Sequence, residues 1–214
     1  MSLDPVDFAS LLCSRLCHDL LSPVGAMANG LELLADEKDP GMRDQVMGLL
    51  ADSSTSTANK LKFFRLAFGA AGGYGDEVDT GEAKTALMGL FSTTGRVQLG
   101  WMVDAPLLPK PAVKLMLNLA MMAGDALVRG GQLTVGAEQR GSAIEIVVRA
   151  EGPRLILDPE IRAAMLGQAK ASDISPRTVG AWLAHEILAR HGGSIQASDP
   201  TEPALLIGAT LSSA

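Results

Sequence analysis

The sequence is short of cysteine, of net positive charge and of long apolar runs, and each shortage removes a class of protein. Its two cysteines, Cys13 and Cys17, stand one turn apart in a helical pattern where a strain-free disulfide does not form, so reduced thiols are expected. Lys and Arg number 18 against 24 Asp and Glu, a net charge of −6 that offers no global basic field to a nucleic-acid backbone or an anionic lipid. No apolar stretch approaches the roughly 18 residues of a membrane span. The acidic start Met1-Ser-Leu-Asp-Pro-Val-Asp7 has no basic region ahead of an apolar core, so a cytoplasmic location is expected, with neither membrane nor nucleic acid as partner. No repeat of 20 to 50 residues is visible. What is present is 47% hydrophobic and 20% charged residues over 214 positions, the composition of a folded chain of one large or two small domains.

From Pro5 to Leu34 the large apolar residues recur three and four apart, the stripe of one long helix. Asp36-Glu-Lys-Asp-Pro-Gly41 stops it and allows a tight return into a second helix over 42–68, weak in its Ser/Thr-rich middle. Gly69-Ala-Ala-Gly-Gly-Tyr-Gly75 reads as a hinge. The division is therefore a helical hairpin over 1–70, a Gly-rich linker over 71–79 and a second domain over 80–214. In that domain helical periods fall at about 80–92, 110–129 and 176–190. Strand patterns fall at 96–103, 132–138, 143–149, 194–198 and 204–211, with a hairpin signal at Gln139-Arg-Gly-Ser142. The fold class is α+β, a helical hairpin followed by an α/β sandwich. Two helices alone cannot bury their stripe, so a second copy is expected to complete a dimeric four-helix bundle.

With His18 at zero on a helical wheel, Leu16, Leu20, Met27, Leu31 and Leu34 gather within about 40° of the opposite pole. His18 thus faces outward, beside the small or polar Ser14, Arg15, Ser22, Gly25 and Asn29. A solvated surface histidine is the plain reading, but two neighbours argue otherwise. Pro23 sits mid-helix, where it removes a backbone hydrogen bond and clashes with the Asp19 carbonyl. The antiparallel return also brings residues near 59 level with His18, so Lys60, Lys62 and Arg65 join Arg15 in a basic collar. Haem attachment at Cys13 and Cys17 fails on spacing, and no metal site is expected. His185 and His191 are expected to pack or cap near the last helix.

The string Cys17-His-Asp-Leu-Leu-Ser-Pro23 resembles the H-box of two-component histidine kinases, a histidine followed by an acidic residue and by a proline five positions on. The resemblance implies that His18 is a phosphoacceptor in a dimeric bundle, with Asp19 flanking it to orient the other ring nitrogen. Neutral imidazole is a nitrogen nucleophile near pH 7 and suits that role. Downstream, Val179 to Ile195 resembles the last helix and strand of the kinases' ATP-binding sandwich, a Bergerat-type fold. Its nucleotide motifs are degenerate. Pro176-Arg-Thr-Val-Gly180 stands where the family has Gly-x-Gly-Leu-Gly. Ala150 falls at the adenine-reading aspartate and Arg154 at a glycine of the Asp-x-Gly-x-Gly motif. The asparagine motif, Leu117 to Ala126, admits two registers, one leaving Met122 and the other Met121 and Asp125 where asparagines belong.

A bundle with an intact phosphoacceptor and an eroded ATP domain resembles the ChpT-type histidine phosphotransferases of alphaproteobacterial phosphorelays. That resemblance implies a shuttle that takes a phosphoryl group from the receiver aspartate of a hybrid kinase and passes it through His18 to response regulators, CtrA-like and CpdR-like among them, in control of cell cycle or development. It implies no cofactor bound by this chain, with Mg²⁺ supplied by the receiver. Arg15, Lys60 and Lys62 are expected to lend positive charge, and Ser14, Ser22, Gly25 and Asn29 to line the docking surface; Phe63 fits either that surface or the bundle core. The rival readings are an ATP-dependent histidine kinase with diverged motifs and a non-catalytic module that sequesters a regulator.

Overall fold

A computed structural model describes residues 3–69, 75–92 and 95–212. Two long antiparallel helices come first, α1 (Pro5–Asp36) and α2 (Pro40–Ala67). Each opens on an Asp-Pro pair, because an aspartate at the cap accepts from the first free amides and a proline just inside has no donor to waste. Asp4 accepts from the Val6 and Asp7 amides, and Asp39 from Met42. Between the helices Arg43 donates to the carbonyls of Leu34 and Glu37, closing the C-terminal end of α1. The seam buries Pro23 and Gly30 of α1 against Val46, Ser53 and Ser56 of α2. The Ser/Thr-rich middle of α2 is helical because its serines are small enough to let the helices approach, a packing gain that outweighs poor propensity.

The second part continues as β1 (Glu77–Asp79), α3 (Thr80–Ser92), β2 (Val97–Val103), β3 (Leu107–Pro109), α4 (Lys110–Asp125), β4 (Gly131–Arg140), β5 (Ala143–Glu151), α5 (Pro159–Met165), a 3-10 turn (Ala171–Asp173), α6 (Val179–Arg190), β6 (Ser194–Ala197) and β7 (Ala204–Ser212). The main sheet runs β2-β4-β5-β7-β6, with β2 parallel to β4 and the rest antiparallel. Alternation puts Ile144, Ile146, Val148 and Ala150 of β5, with Leu205, Ile207 and Leu211 of β7, inside beneath α4. The β4–β5 turn has Gly141 at φ 62°, the positive value that glycine supplies in a two-residue hairpin loop.

Several expectations shift. Within the linker expected over 71–79, residues 71–74 lie outside the described residues, while 77–79 form β1, paired with β3, and bury Val78. The helix expected over 110–129 ends at Asp125, because the chain then turns into a bridge between Leu127 and Leu155. The helix expected from 176 begins at Val179, because Ser175 to Thr178 closes its own turn through the Ser175 amide and the Thr178 hydroxyl. The foot of the hairpin also does not stand apart: Phe63, Phe64, Leu66 and Ala67 lie in one continuous core with α3, α4 and the sheet.

Candidate functional site

His18 projects from α1 with 84% of its side chain exposed. Its Nδ1 lies 3.2 Å from Asp19 Oδ1, so a proton on Nδ1 satisfies the contact and leaves the Nε2 lone pair available. Asp19 is held from two sides. Arg15 Nε donates to its Oδ2 at 2.6 Å, a charge-assisted bond between side chains only 18% and 19% exposed. Its main-chain carbonyl is the one that Pro23, four residues on, cannot serve, and Lys60 of α2 donates to it at 2.8 Å. The mid-helix proline thus creates an acceptor, and a lysine from the neighbouring helix fills it.

Beside the imidazole opens a cleft of about 550 Å³ between α1 and the second domain, lined on one side by Ser14, Arg15, His18 and Asp19 and on the other by residues that include Asp125, Asp158 and Arg177. Arg15 reaches across it. Its Nη1 donates to the Arg177 carbonyl at 3.3 Å and its Nη2 stands 3.8 Å from Asp125 Oδ2. Arg177 is tied to Asp158 at 2.7 Å. Burial in the cleft raises the Asp125 carboxyl to about 6, with Arg15 opposing the shift, Asp19 adding to it and Lys60 opposing it. More than half of that side chain is exposed, at the mouth of the cleft.

The residues expected at this site divide accordingly. His18, Asp19, Arg15 and Lys60 are brought together, and Ser14 lines the cleft. Ser22, Gly25 and Asn29 are exposed on α1, and a Cβ added at Gly25 would meet nothing within 4 Å. Phe63 is corrected: it is fully buried, edge-on to Phe64, and belongs to the core rather than to a docking surface. The basic collar is corrected in part. Lys60 is engaged by the Asp19 main-chain carbonyl, Arg15 by two carboxylates and the exposed Arg65 by Glu82, while Lys62 is exposed beside them. Sequence reasoning missed Arg177 and Asp158, since nothing local tells that their loop meets α1.

In the second domain several positions of the nucleotide motifs are apolar and buried, while Met122, Asp125, Pro176 and Arg177 line the cleft beside His18. Ala150 is buried beneath the sheet and Met121 and Met122 are buried in α4. Asn118 donates to the Ala67 and Lys114 carbonyls and so ties the end of α2 to α4. His185 packs against Gly167 and tilts toward Trp182, and His191 caps α6, as expected. Among the described residues no cluster of three or more metal-ligating side chains occurs.

Fold and site together define a class: a family model described as the histidine phosphotransferase C-terminal domain matches residues 80–203, and the chain belongs to the histidine phosphotransferase family. It is 36% identical over 179 residues, 84% of either chain, to the protein phosphotransferase ChpT of Brucella abortus (strain 2308). Its fold matches the solved structure of a bacterial phosphotransferase with a TM-score of 0.86, at 32% identity and 98% coverage of both chains. The family resemblance read from the H-box and the eroded ATP domain is therefore correct.

Proposed function

We propose that the protein is a phosphorelay shuttle whose carrier is His18. The observation that supports this most is an exposed imidazole whose Nδ1 faces a fixed carboxylate. In the proposed reaction His18 Nε2 attacks the phosphorus of a receiver's aspartyl phosphate, a P–N bond forms, the P–O bond breaks and the aspartate leaves as carboxylate. Transfer to a second receiver reverses these events. Asp19 holds the proton on Nδ1 and stabilises the positive charge the ring acquires. The receiver brings Mg²⁺, and its partners on this chain are the α1 surface at Ser14, Ser22, Gly25 and Asn29 and the facing wall of the cleft. Hybrid-kinase receivers as donors and CtrA-like and CpdR-like regulators as acceptors fit the family resemblance.

No ATP is consumed in this reading. Ala150 offers no acceptor to an adenine amino group, which costs on the order of 1–3 kcal/mol for the unpaired group, and Pro176 and Thr178 replace glycines that would let amides approach phosphates. The working unit is a homodimer, because Val24 and Leu31 of α1 and Leu49 and Leu61 of α2 stay exposed in one copy and form the face a four-helix bundle would cover.

The test is to incubate the protein with a phosphorylated receiver and magnesium without free ATP. Acid-labile, base-stable phosphate on His18, passed on to a second receiver and abolished by His18→Ala with the dimer intact, is the expected result. Labelling of His18 by ATP itself, or a melting temperature raised by millimolar ATP, would make the chain a kinase instead.

A further inference from the structure

The eroded domain has a role beyond offering a surface. The geometry points to Asp125 as a positioning residue for His18: from the second domain it anchors Arg15, which holds the Asp19 carboxylate against the imidazole Nδ1. This rests on the reading of His18 as phosphoryl carrier.

The contacts form one line. Asp125 Oδ2 stands 3.8 Å from Arg15 Nη2, Arg15 Nε donates to Asp19 Oδ2 at 2.6 Å, and Asp19 Oδ1 lies 3.2 Å from His18 Nδ1. The Arg177 carbonyl accepts from a second arm of the same guanidinium at 3.3 Å, so Arg15 is hydrogen-bonded to the second domain and to its own helix, with Asp125 as an ion-pair partner beyond hydrogen-bond distance. A planar guanidinium held across the cleft in this way transmits orientation to the carboxylate it binds. On one face of that carboxylate sits the imidazole, and the Lys60 bond fixes the backbone beneath it.

The energetics separate this role from a merely structural one. Asp125 faces Arg15 and a second carboxylate, Asp19, across the cleft, and these two pull its carboxyl in opposite directions. A carboxyl moved from its ordinary range that points its charge into the contacts of the reacting group is the pattern of a functional position. The sequence placed Asp125, in one register, where the ATP-binding fold has a metal-binding asparagine. Here the same position faces Arg15 instead.

The experiment compares Asp125→Asn and Asp125→Glu with the parent chain, with kcat and KM for the phosphorylated receiver measured separately and the ¹⁵N shifts of His18 Nδ1 and Nε2 read in the absence of any partner. Loss of positioning should lower kcat by between about 10- and 100-fold with KM within twofold. Asp125→Glu, whose carboxylate still reaches Arg15, should recover most of the rate. The His18 shifts of Asp125→Asn should move toward those of unrestrained imidazole. A rate loss confined to KM would make Asp125 a docking residue and overturn the inference, as would an unchanged kcat or unchanged His18 shifts. If the parent chain never accepts phosphate, it is the carrier reading that fails, and the ¹⁵N shifts still decide the positioning claim.

Discussion

Pro23 breaks a hydrogen bond in the middle of α1, and Lys60 takes the carbonyl it frees. The two residues should therefore be energetically coupled. Lys60→Ala is expected to cost about 1 kcal/mol in the parent chain, since it strands a partly buried acceptor, and much less in a Pro23→Ala background where the helical amide returns. Chemical denaturation of the four proteins in the cycle measures the coupling. Asp125 gives a second prediction at this scale. Its carboxyl is raised to about 6 from an ordinary 3.8, so between those values the folded chain holds a proton that the unfolded chain has released. Stability from this group is full below the lower value and is lost as pH rises through the upper one. Asp125→Asn should consequently gain stability relative to the parent as pH climbs from about 4 to 7, seen as a widening gap between denaturant midpoints. His18 and Pro23 were legible in the sequence because the wheel angle and the mid-helix proline are local facts. The partners of Arg15 were not, because Asp125 and Arg177 lie far along the chain and meet it only through the fold.

Elements read well wherever a period had room to show. The five long strands lie within a few residues of their expected limits because alternation persists over four to ten positions. β1 and β3 are three residues each and give no period, and Pro109 in β3 argues locally against a strand. α5 escaped although its start carries the same Asp-Pro signature as α1 and α2, with Asp158 accepting from the Glu160 amide. Its seven residues are too few for an apolar stripe to declare itself. Phe63 shows the opposite failure: a hairpin drawn alone leaves it open to either face, and only the packing of α2 on α3 and α4 decides. α4 supplies a test of close packing. A Cβ at Gly124 would fall 2.2 Å from Phe91 Cζ, so Gly124→Ala must displace the ring, with an expected loss of about 1–3 kcal/mol in chemical denaturation.

At the scale of the whole molecule, the hairpin presents apolar residues on a side that its own chain does not cover. Leu31 is 62% exposed, and with Val24 it lies on the face proposed to meet a second copy. Leu31→Glu should give a monomer in analytical ultracentrifugation while the circular dichroism of the sandwich is unchanged, and should leave the His18 contacts with Asp19 and Arg15 in place, since these are made within one chain. The hairpin and the sandwich were both legible in the sequence, one from its long apolar stripe and the other from its mixed periods. A glycine-rich stretch reads as a flexible connection, whereas Phe63, Phe64, Leu66 and Ala67 lie in the core that α2 shares with α3 and α4. Such a foot forbids modular exchange. A chimera that grafted these two helices onto an unrelated sandwich would leave aromatic rings facing water, so the platform and its mast must be inherited together.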